Sequence, residues 1–202
     1  MSCQRCRIAL VCCLVFVVIP PLLLADEKPT ANSPKKGTDL GNYVPTTTTW
    51  VVVSPTLPKF NGRNTCLAGV YRKEKAISIY AQTEEKDVWD LLHAVDRAMQ
   101  DHPEIKAYIV INKPLRSPSG YNISAARFAE TKALAQAHKF SQVDVSLCRS
   151  PSKLLFDKNT PVKFVYSEKR IVKMSRKLTK NDQPLKEAAA LIEAVLKISA
   201  AR

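Results

Sequence analysis

Cysteine is the residue of this 202-residue sequence with the widest range of chemistry, and its 6 copies fall into two groups. Cys66 and Cys148 lie far apart in the body of the chain, and the other four lie near its start: Cys3, Cys6, Cys12 and Cys13. A disulfide between Cys66 and Cys148 would close a long loop, worth up to ~4 kcal/mol on the chain-entropy model in an oxidising compartment. Two buried thiols are the alternative.

The 3 histidines, His93, His102 and His138, lack the paired spacing of a metal site, such as two histidines four positions apart on one helix. His102 and His138 fall near the ends of predicted helices, where a partial positive charge is favourable. The sequence has no Gly-x-Ser-x-Gly motif, and its 5 glycines include no phosphate-binding loop. We therefore expect neither a bound metal nor a cofactor.

The formal net charge of +13 is partly concentrated on one C-terminal stretch. Its basic residues are Lys163, Lys169, Arg170, Lys173, Arg176 and Lys177. On alternating strand positions, Lys163 and Lys173 would share one face, opposite Phe164 and Val172. These residues could bind an anionic surface such as lipid headgroups, but lysines also protect an edge strand from aggregation, which is the favoured interpretation. Aromatic residues are not interleaved with them, so no specific nucleic-acid binding is expected.

The first 25 residues have the organisation of a secretory signal peptide. Arg5 and Arg7 precede an uncharged apolar run over residues 8–25, and charged residues follow at once. The small side chain of Ala25 predicts cleavage after that residue. We expect export to the periplasm, the cell envelope or the medium, with only Cys66 and Cys148 left in the mature chain. The alternative is an uncleaved anchor, although the run is short for a membrane-spanning helix.

Beyond the leader, composition predicts a flexible linker over residues 26–46 and one domain over residues 47–202. Apolar patterning in the domain predicts strands at 46–54, 76–81, 107–111 and 143–147, a hairpin at 162–174, and helices at 83–101, 124–139 and from 182. Thr83 is expected to cap the first helix. The buried face of the last helix is expected to comprise Leu185, Ala189, Ile192 and Leu196. Alternating strands and helices predict an α/β fold with a central mixed sheet and helices on both faces.

This order of elements, with a proline-led strand at residues 160–166 (TPVKFVY), resembles the thioredoxin-like fold. Thioredoxins carry a cis-proline beside the active site at the start of that strand. The stretches 66–71 and 77–81 are similar to those of exported bacterial thioredoxin-like proteins, and the resemblance covers about residues 60–200. It implies a three-layer sandwich whose ligand face comprises Gln82, Thr83, Thr160 and Pro161.

The resemblance fails where the family's chemistry is located. In thioredoxins the first core strand runs into a Cys-x-x-Cys motif at the start of the next helix, and peroxiredoxins place one nucleophilic cysteine there. Residues 80–87 of this chain read YAQTEEKD and contain no cysteine. We therefore expect a non-catalytic binding or interaction module for an unknown protein or small ligand. The alternatives are an exported thiol oxidoreductase or peroxidase-like enzyme using Cys66 and Cys148, and a protein that binds polyanions or membrane surfaces.

Overall fold

The fold was analysed in a computed structural model. It describes residues 36–112, 125–148, 155–156, 160–179, 182 and 184–201. The predicted signal peptide and its cleavage site lie outside the described residues.

Seven strands and four helices make up the described part of the chain. The strands are β1 (Thr49–Val53), β2 (Asn64–Thr65), β3 (Lys75–Ala81), β4 (Ile105–Ile111), β5 (Val143–Cys148), β6 (Val162–Glu168) and β7 (Ile171–Leu178). The helices are α1 (Leu67–Val70), α2 (Lys86–Gln100), α3 (Ala125–His138) and α4 (Pro184–Ala200), and a 3-10 turn spans Pro58–Phe60.

All seven strands form one mixed sheet in the order β2-β1-β5-β4-β3-β6-β7. The central strands β3, β4 and β5 are parallel, whereas β1 and β6 pair antiparallel on either side of them. The parallel strands are buried on both faces and accordingly read as nearly continuous apolar runs. The predicted mixed sheet is confirmed, and so is the C-terminal hairpin, formed by β6 and β7 at one edge.

Helices cover both faces of this sheet, as predicted, although three of the four lie on the same face. The crossovers from β3 to β4 and from β4 to β5 move in the same direction across the sheet, so right-handed connections place α2 and α3 on one side. The core beneath them contains Leu91, Leu92 and Val195, the last from α4. The other face carries α1, whose Leu67 packs with Tyr80 in a second buried cluster.

The first long helix starts later than the sequence predicted. Glu85 is the N-cap of α2 and makes no side-chain capping hydrogen bond, so Thr83 lies before the helix. The chain is held extended there because the Trp89 indole Nε1 donates to the Glu84 carbonyl at 3.1 Å. Thr131 of α3 also donates to the Glu84 carboxylate at 2.6 Å. Contacts with the next helix therefore override the local capping preference of Thr83.

The apolar stripe of α4 is rotated by one position from the prediction. The buried side chains are Ala188, Leu191 and Val195, and Ile192 and Leu196 are half-buried beside them. The predicted core residue Ala189 is exposed. Because α4 has apolar residues on several sides, its sequence did not determine which of two apolar stripes, one position apart, is buried.

Residues 36–45 pack against the sheet instead of ending a linker. The backbone of Val172 in β7 makes two hydrogen bonds to this segment. Its N–H donates to the Asn42 carbonyl at 2.9 Å, and its carbonyl accepts from the Gly41 N–H at 3.0 Å. Val44 is 1% exposed. The predicted linker over residues 26–46 is therefore too long, and the folded body begins before residue 47. Proline-rich and glycine-rich composition indicates a loop but does not reveal whether the loop is docked.

Candidate functional site

A cleft of about 470 Å³ opens where β3 ends and α2 begins, beside the start of β6 and the end of β7. The C-terminal ends of parallel strands are the usual position of ligand sites in α/β sheets. Its lining residues are Gln82, Thr83, Glu85, Asp87, Val88, Pro161, Val162, Leu178, Thr179 and Asp182. Three of the four residues predicted for the ligand face line this cleft, and the fourth, Thr160, is buried next to it.

Gln82 joins the two sides of the cleft. Its backbone N–H donates to the Pro161 carbonyl at 2.8 Å, and its side-chain amide donates to the Thr160 carbonyl at 3.0 Å. These bonds continue the β3–β6 pairing by one residue beyond the ladder, which ends at Ala81 and Val162. The floor of the cleft is therefore fixed by main-chain geometry, and the ligand face has little freedom to rearrange.

The proline at this site differs from its counterpart in thioredoxins. None of the peptide bonds in the described residues is cis, so the Thr160–Pro161 bond is trans. The proline still lines the cleft and immediately precedes the strand. It lacks the backbone conformation that thioredoxins use beside their reactive cysteines.

The cleft carries more acid than the rest of this basic protein. Glu85 and Asp87 are exposed at the start of α2, where carboxylates favourably face the positive end of the helix dipole. Asp182 is half-buried on the opposite side. A hydrogen bond of 2.6 Å from the Thr179 backbone N–H holds the pKa of Asp182 below its usual range. The lining offers hydrogen bonds and negative charge, but its described residues include no thiol and no imidazole.

Cys66 and Cys148 lie outside the cleft lining. Cys66 is half-buried at the N-cap of α1, where its sulfur accepts from the Gly69 N–H at 3.3 Å, and Cys148 is fully buried at the end of β5. No disulfide joins them in the structure. Thr49 pairs with Thr65 on one side and with Cys148 on the other. Two strand spacings, about 10 Å, therefore separate Cys148 from Thr65, the neighbour of Cys66.

Sequence reasoning missed a histidine pair between α2 and α3. His93 Nε2 and His138 Nδ1 lie 2.9 Å apart, and the His138 ring stacks on Trp89 with a centroid distance of 4.6 Å. Partial burial, and then the neighbouring His93, lowers the pKa of His138. The third histidine, His102, lies 3.6 Å from Glu104. Within the described residues, no three His, Cys, Asp or Glu side chains are arranged to hold a metal ion.

A buried carboxylate network on the α1 face was also missed. Asp144 is completely buried in β5 and accepts hydrogen bonds from Ser54 at 2.7 Å, from Thr56 at 2.9 Å and from the Tyr71 hydroxyl. Burial raises the pKa of Asp144, and these donors oppose the rise. The network ties the loop after β1 and the end of α1 to the sheet. Its members are scattered through the sequence, so no local pattern could have brought them together.

The predicted basic surface is divided by the hairpin geometry. Lys163 is 6% exposed and donates to Thr38 at 3.1 Å, so it does not belong to an exposed anion-binding face. Arg170 donates to the Val44 carbonyl at 2.9 Å. Lys169, Arg176 and Lys177 are exposed, and Lys173 is half-exposed.

The strand positions predicted for the basic residues need a correction as well. The β6–β7 register shifts between Tyr166 and Ser167, which leaves Lys173 as an extra residue in β7. Phe164 and Val172 consequently belong to the two different cores, so they do not share a face. A one-residue bulge moves every side chain beyond it to the opposite face of the sheet. The alternation of apolar and polar residues does not reveal such a bulge.

Several solved structures have an architecture similar to that of this chain. A protein from Geobacillus kaustophilus described only as conserved matches with a TM-score of 0.54 and 11% identity, over 79% of this chain and 83% of that chain. A proposed protein disulfide isomerase from Bacteroides thetaiotaomicron matches with a TM-score of 0.53 and 10% identity, over 79% and 89%. A proposed thiol:disulfide interchange protein DsbE from Chlorobium tepidum gives 0.51 and 10%, over 78% and 98%.

The chain has a thioredoxin-like fold. The expected resemblance is confirmed for the fold alone. Sequence identities this low carry no information about activity. No family profile matches the sequence, and no curated protein matches it. Among the described helices of this thioredoxin-like chain, none is long and apolar enough to cross a membrane.

Proposed function

We propose that this protein is an exported, non-catalytic binding module that holds a ligand in the cleft between Gln82, Pro161 and Leu178. One observation carries the proposal. At the position where thioredoxin-like enzymes react, this chain has a cleft of about 470 Å³ whose described lining residues include no thiol. The site retains the shape needed for binding without the group needed for thiol exchange.

The cleft would bind by hydrogen bonds and shape. Gln82 and Thr83 follow β3, and Val88 and Leu178 add apolar surface on opposite sides. Because Gln82 is tied to Thr160 and Pro161, little ordering cost falls on the binding step. This preorganisation is typical of a recognition site.

Export is part of the proposal and rests on the leader over residues 1–25. An oxidising compartment favours disulfides between thiols that can meet. Cys66 and Cys148 lie on either side of β1, which makes them structural residues in this proposal.

An exported thiol enzyme is the competing function. It would need a reactive sulfur within reach of substrate, but Cys148 is fully buried and Cys66 belongs to the N-cap of a four-residue helix. Neither sulfur lines the cleft. The geometry therefore favours binding over catalysis.

The test compares two tryptophan substitutions on the same strand end. Thr179→Trp fills the exposed rim of the cleft, and Ser175→Trp places the same side chain on β7 outside the lining. In an NMR screen of cationic, anionic and neutral fragments, we expect ligands to shift the amides of Gln82 and Thr83. Thr179→Trp should abolish these shifts, and Ser175→Trp should retain them.

A thiol assay completes the test. Insulin reduction and peroxide consumption by the wild type should not exceed the rates of the Cys66→Ser/Cys148→Ser variant. Turnover that depends on either cysteine, or fragment shifts that cluster away from the cleft, would overturn the proposal.

A further inference from the structure

The two edges of the sheet differ in what they offer to another chain. At one edge, β2 has only two residues, which is too short to template a further strand. At the other edge, β7 has eight residues, Ile171–Leu178. An edge strand presents a row of main-chain donors and acceptors to its surroundings.

The chain already uses the first part of the β7 edge for strand pairing. Tyr43 pairs antiparallel with Ile171, and the main chain of Val172 bonds to both Gly41 and Asn42. This pairing stops at the bulge residue Lys173, where the added residue twists the edge. The edge is therefore competent for strand addition, and the bulge limits how much of it the chain itself covers.

Beyond the bulge, β7 is regular again from Met174 to Leu178. Among the described residues, β6 pairs with one side of this part of the strand, and no backbone hydrogen bond reaches the side that faces away from β6. Five residues at about 3.4 Å each give an edge of about 17 Å, the length of an ordinary strand. Ser175, Arg176 and Lys177 are exposed along it, whereas Met174 is half-buried and Leu178 is buried.

The charge along this edge specifies the partner. Arg176 pairs with Phe164, whose side chain belongs to the core under α2, and Lys177 pairs with Lys163 on the opposite face. Positive side chains therefore flank both faces of the edge. An added strand would place its own side chains directly opposite them, where acidic residues are stabilised and basic residues are repelled. A second copy of this chain is disfavoured because two such edges would bring like charges together.

We propose that the β7 edge from Met174 to Leu178 binds an extended acidic segment of another protein, which joins the sheet as an eighth strand. Main-chain hydrogen bonds supply the attachment, and the basic side chains select acidic sequences. The site adjoins the cleft at Leu178 but does not depend on a ligand there.

The probe is an eight-residue peptide of Glu, Thr and Val, with acetylated and amidated ends. One comparison peptide replaces each Glu with Lys, and another keeps the acids but carries N-methyl groups on alternate residues. We expect the acidic peptide alone to bind the full mature chain. On binding, alternate amides between Met174 and Leu178 should become protected from hydrogen exchange.

Charge reversal at the edge tests the selectivity. Arg176→Glu/Lys177→Glu should weaken the acidic peptide about tenfold or more, since two favourable cross-strand pairs become repulsive. The matched variant Lys132→Glu/Lys186→Glu makes the same change in net charge on exposed residues of α3 and α4 and should bind like wild type. Circular dichroism and thermal unfolding confirm that each variant is folded.

Three results would overturn the proposal. Equal binding of the N-methylated peptide would show general attraction of polyanions rather than strand addition. Equal weakening by the two charge-reversal variants would show that only net charge matters. Protection, in the peptide-free chain, of the alternate 174–178 amides that point away from β6 would show that the edge is already covered by the protein itself.

Discussion

At the scale of single residues, Asp144 shows how one buried carboxylate organises distant segments. The Tyr71 hydroxyl donates to it, and removing that hydroxyl leaves the carboxylate short of one donor in a buried site. We expect Tyr71→Phe to lower the free energy of unfolding by about 1–3 kcal/mol. Tyr43→Phe is the matched control on a partly exposed ring and should change it by less than about 0.5 kcal/mol. Urea titrations measure both, and equal effects would show that the network contributes nothing.

The histidine pair predicts a pH dependence. The pKa of His138 is lowered in the fold, so the unfolded chain binds a proton more readily. The resulting contribution to stability is present above the ordinary histidine pKa and is lost as the pH falls below it. Between pH 7 and pH 5, the wild type should therefore lose more unfolding free energy than His138→Gln. His102→Gln, at a half-buried site outside the histidine pair, should follow the wild type. A parallel loss in all three proteins would contradict the prediction.

The positions of single residues could be predicted where the order of strands and helices fixes them. They could not be predicted where they depend on tertiary contacts between distant parts of the chain. Gln82 and Pro161 could be placed because a strand end and a proline-led strand have fixed positions in thioredoxin-like sheets. Tyr71 and Asp144 could not, since they are 73 residues apart and meet through tertiary structure alone. Lys163 was misplaced because its charge indicated exposure, whereas Thr38 covers it.

At the scale of elements, one side chain of α2 fixes the turn before β5. Asp96 accepts the backbone N–H groups of Ser141, Gln142 and Val143, at 2.9, 2.6 and 3.1 Å. We expect Asp96→Ala to destabilise the protein by about 3 kcal/mol, because three backbone donors lose their carboxylate acceptor. Asp101→Ala, at the C-cap of the same helix, should be nearly neutral. Chemical denaturation distinguishes them, and a neutral Asp96→Ala would show that water replaces the carboxylate.

Long periodic elements were predictable, and short ones were not. The strands β3 to β7 and the helices α2 to α4 each carry an apolar pattern long enough to identify. In contrast, β2 has two residues and α1 has four, too few to show any period. The bulge at Lys173 adds one residue and escapes alternation altogether.

At the scale of the whole molecule, the proposed signal peptide makes a direct prediction about processing. A tagged full-length protein expressed in a secreting host should be recovered starting at Asp26, as measured by intact mass and N-terminal sequencing. Ala25→Leu should block processing because the peptidase requires a small side chain there. Ala31→Leu serves as the control and should be processed normally. Recovery of the unprocessed wild type in the membrane fraction would favour the anchor instead.

The overall architecture followed from the order of elements because few topologies are compatible with right-handed crossovers and one shared core. Which face each helix covers followed less directly. The docking of residues 36–45 could not be foreseen, since it depends on an edge formed by the other end of the chain.

The docking of residues 36–45 on β7 also determines when this edge of the sheet can form during synthesis. Tyr43 is among the first residues of the body to be made, yet its partner Ile171 follows 128 positions later. At about 5–20 residues per second, the segment waits roughly 6–26 s for the strand that receives it. Throughout that interval the buried cluster that contains Val44 lacks its β7 member, Val172, so it stays incomplete until β7 emerges. Completion of the sheet edge is therefore among the last events of folding. A chain truncated before β7 would leave residues 36–45 without the strand on which they dock.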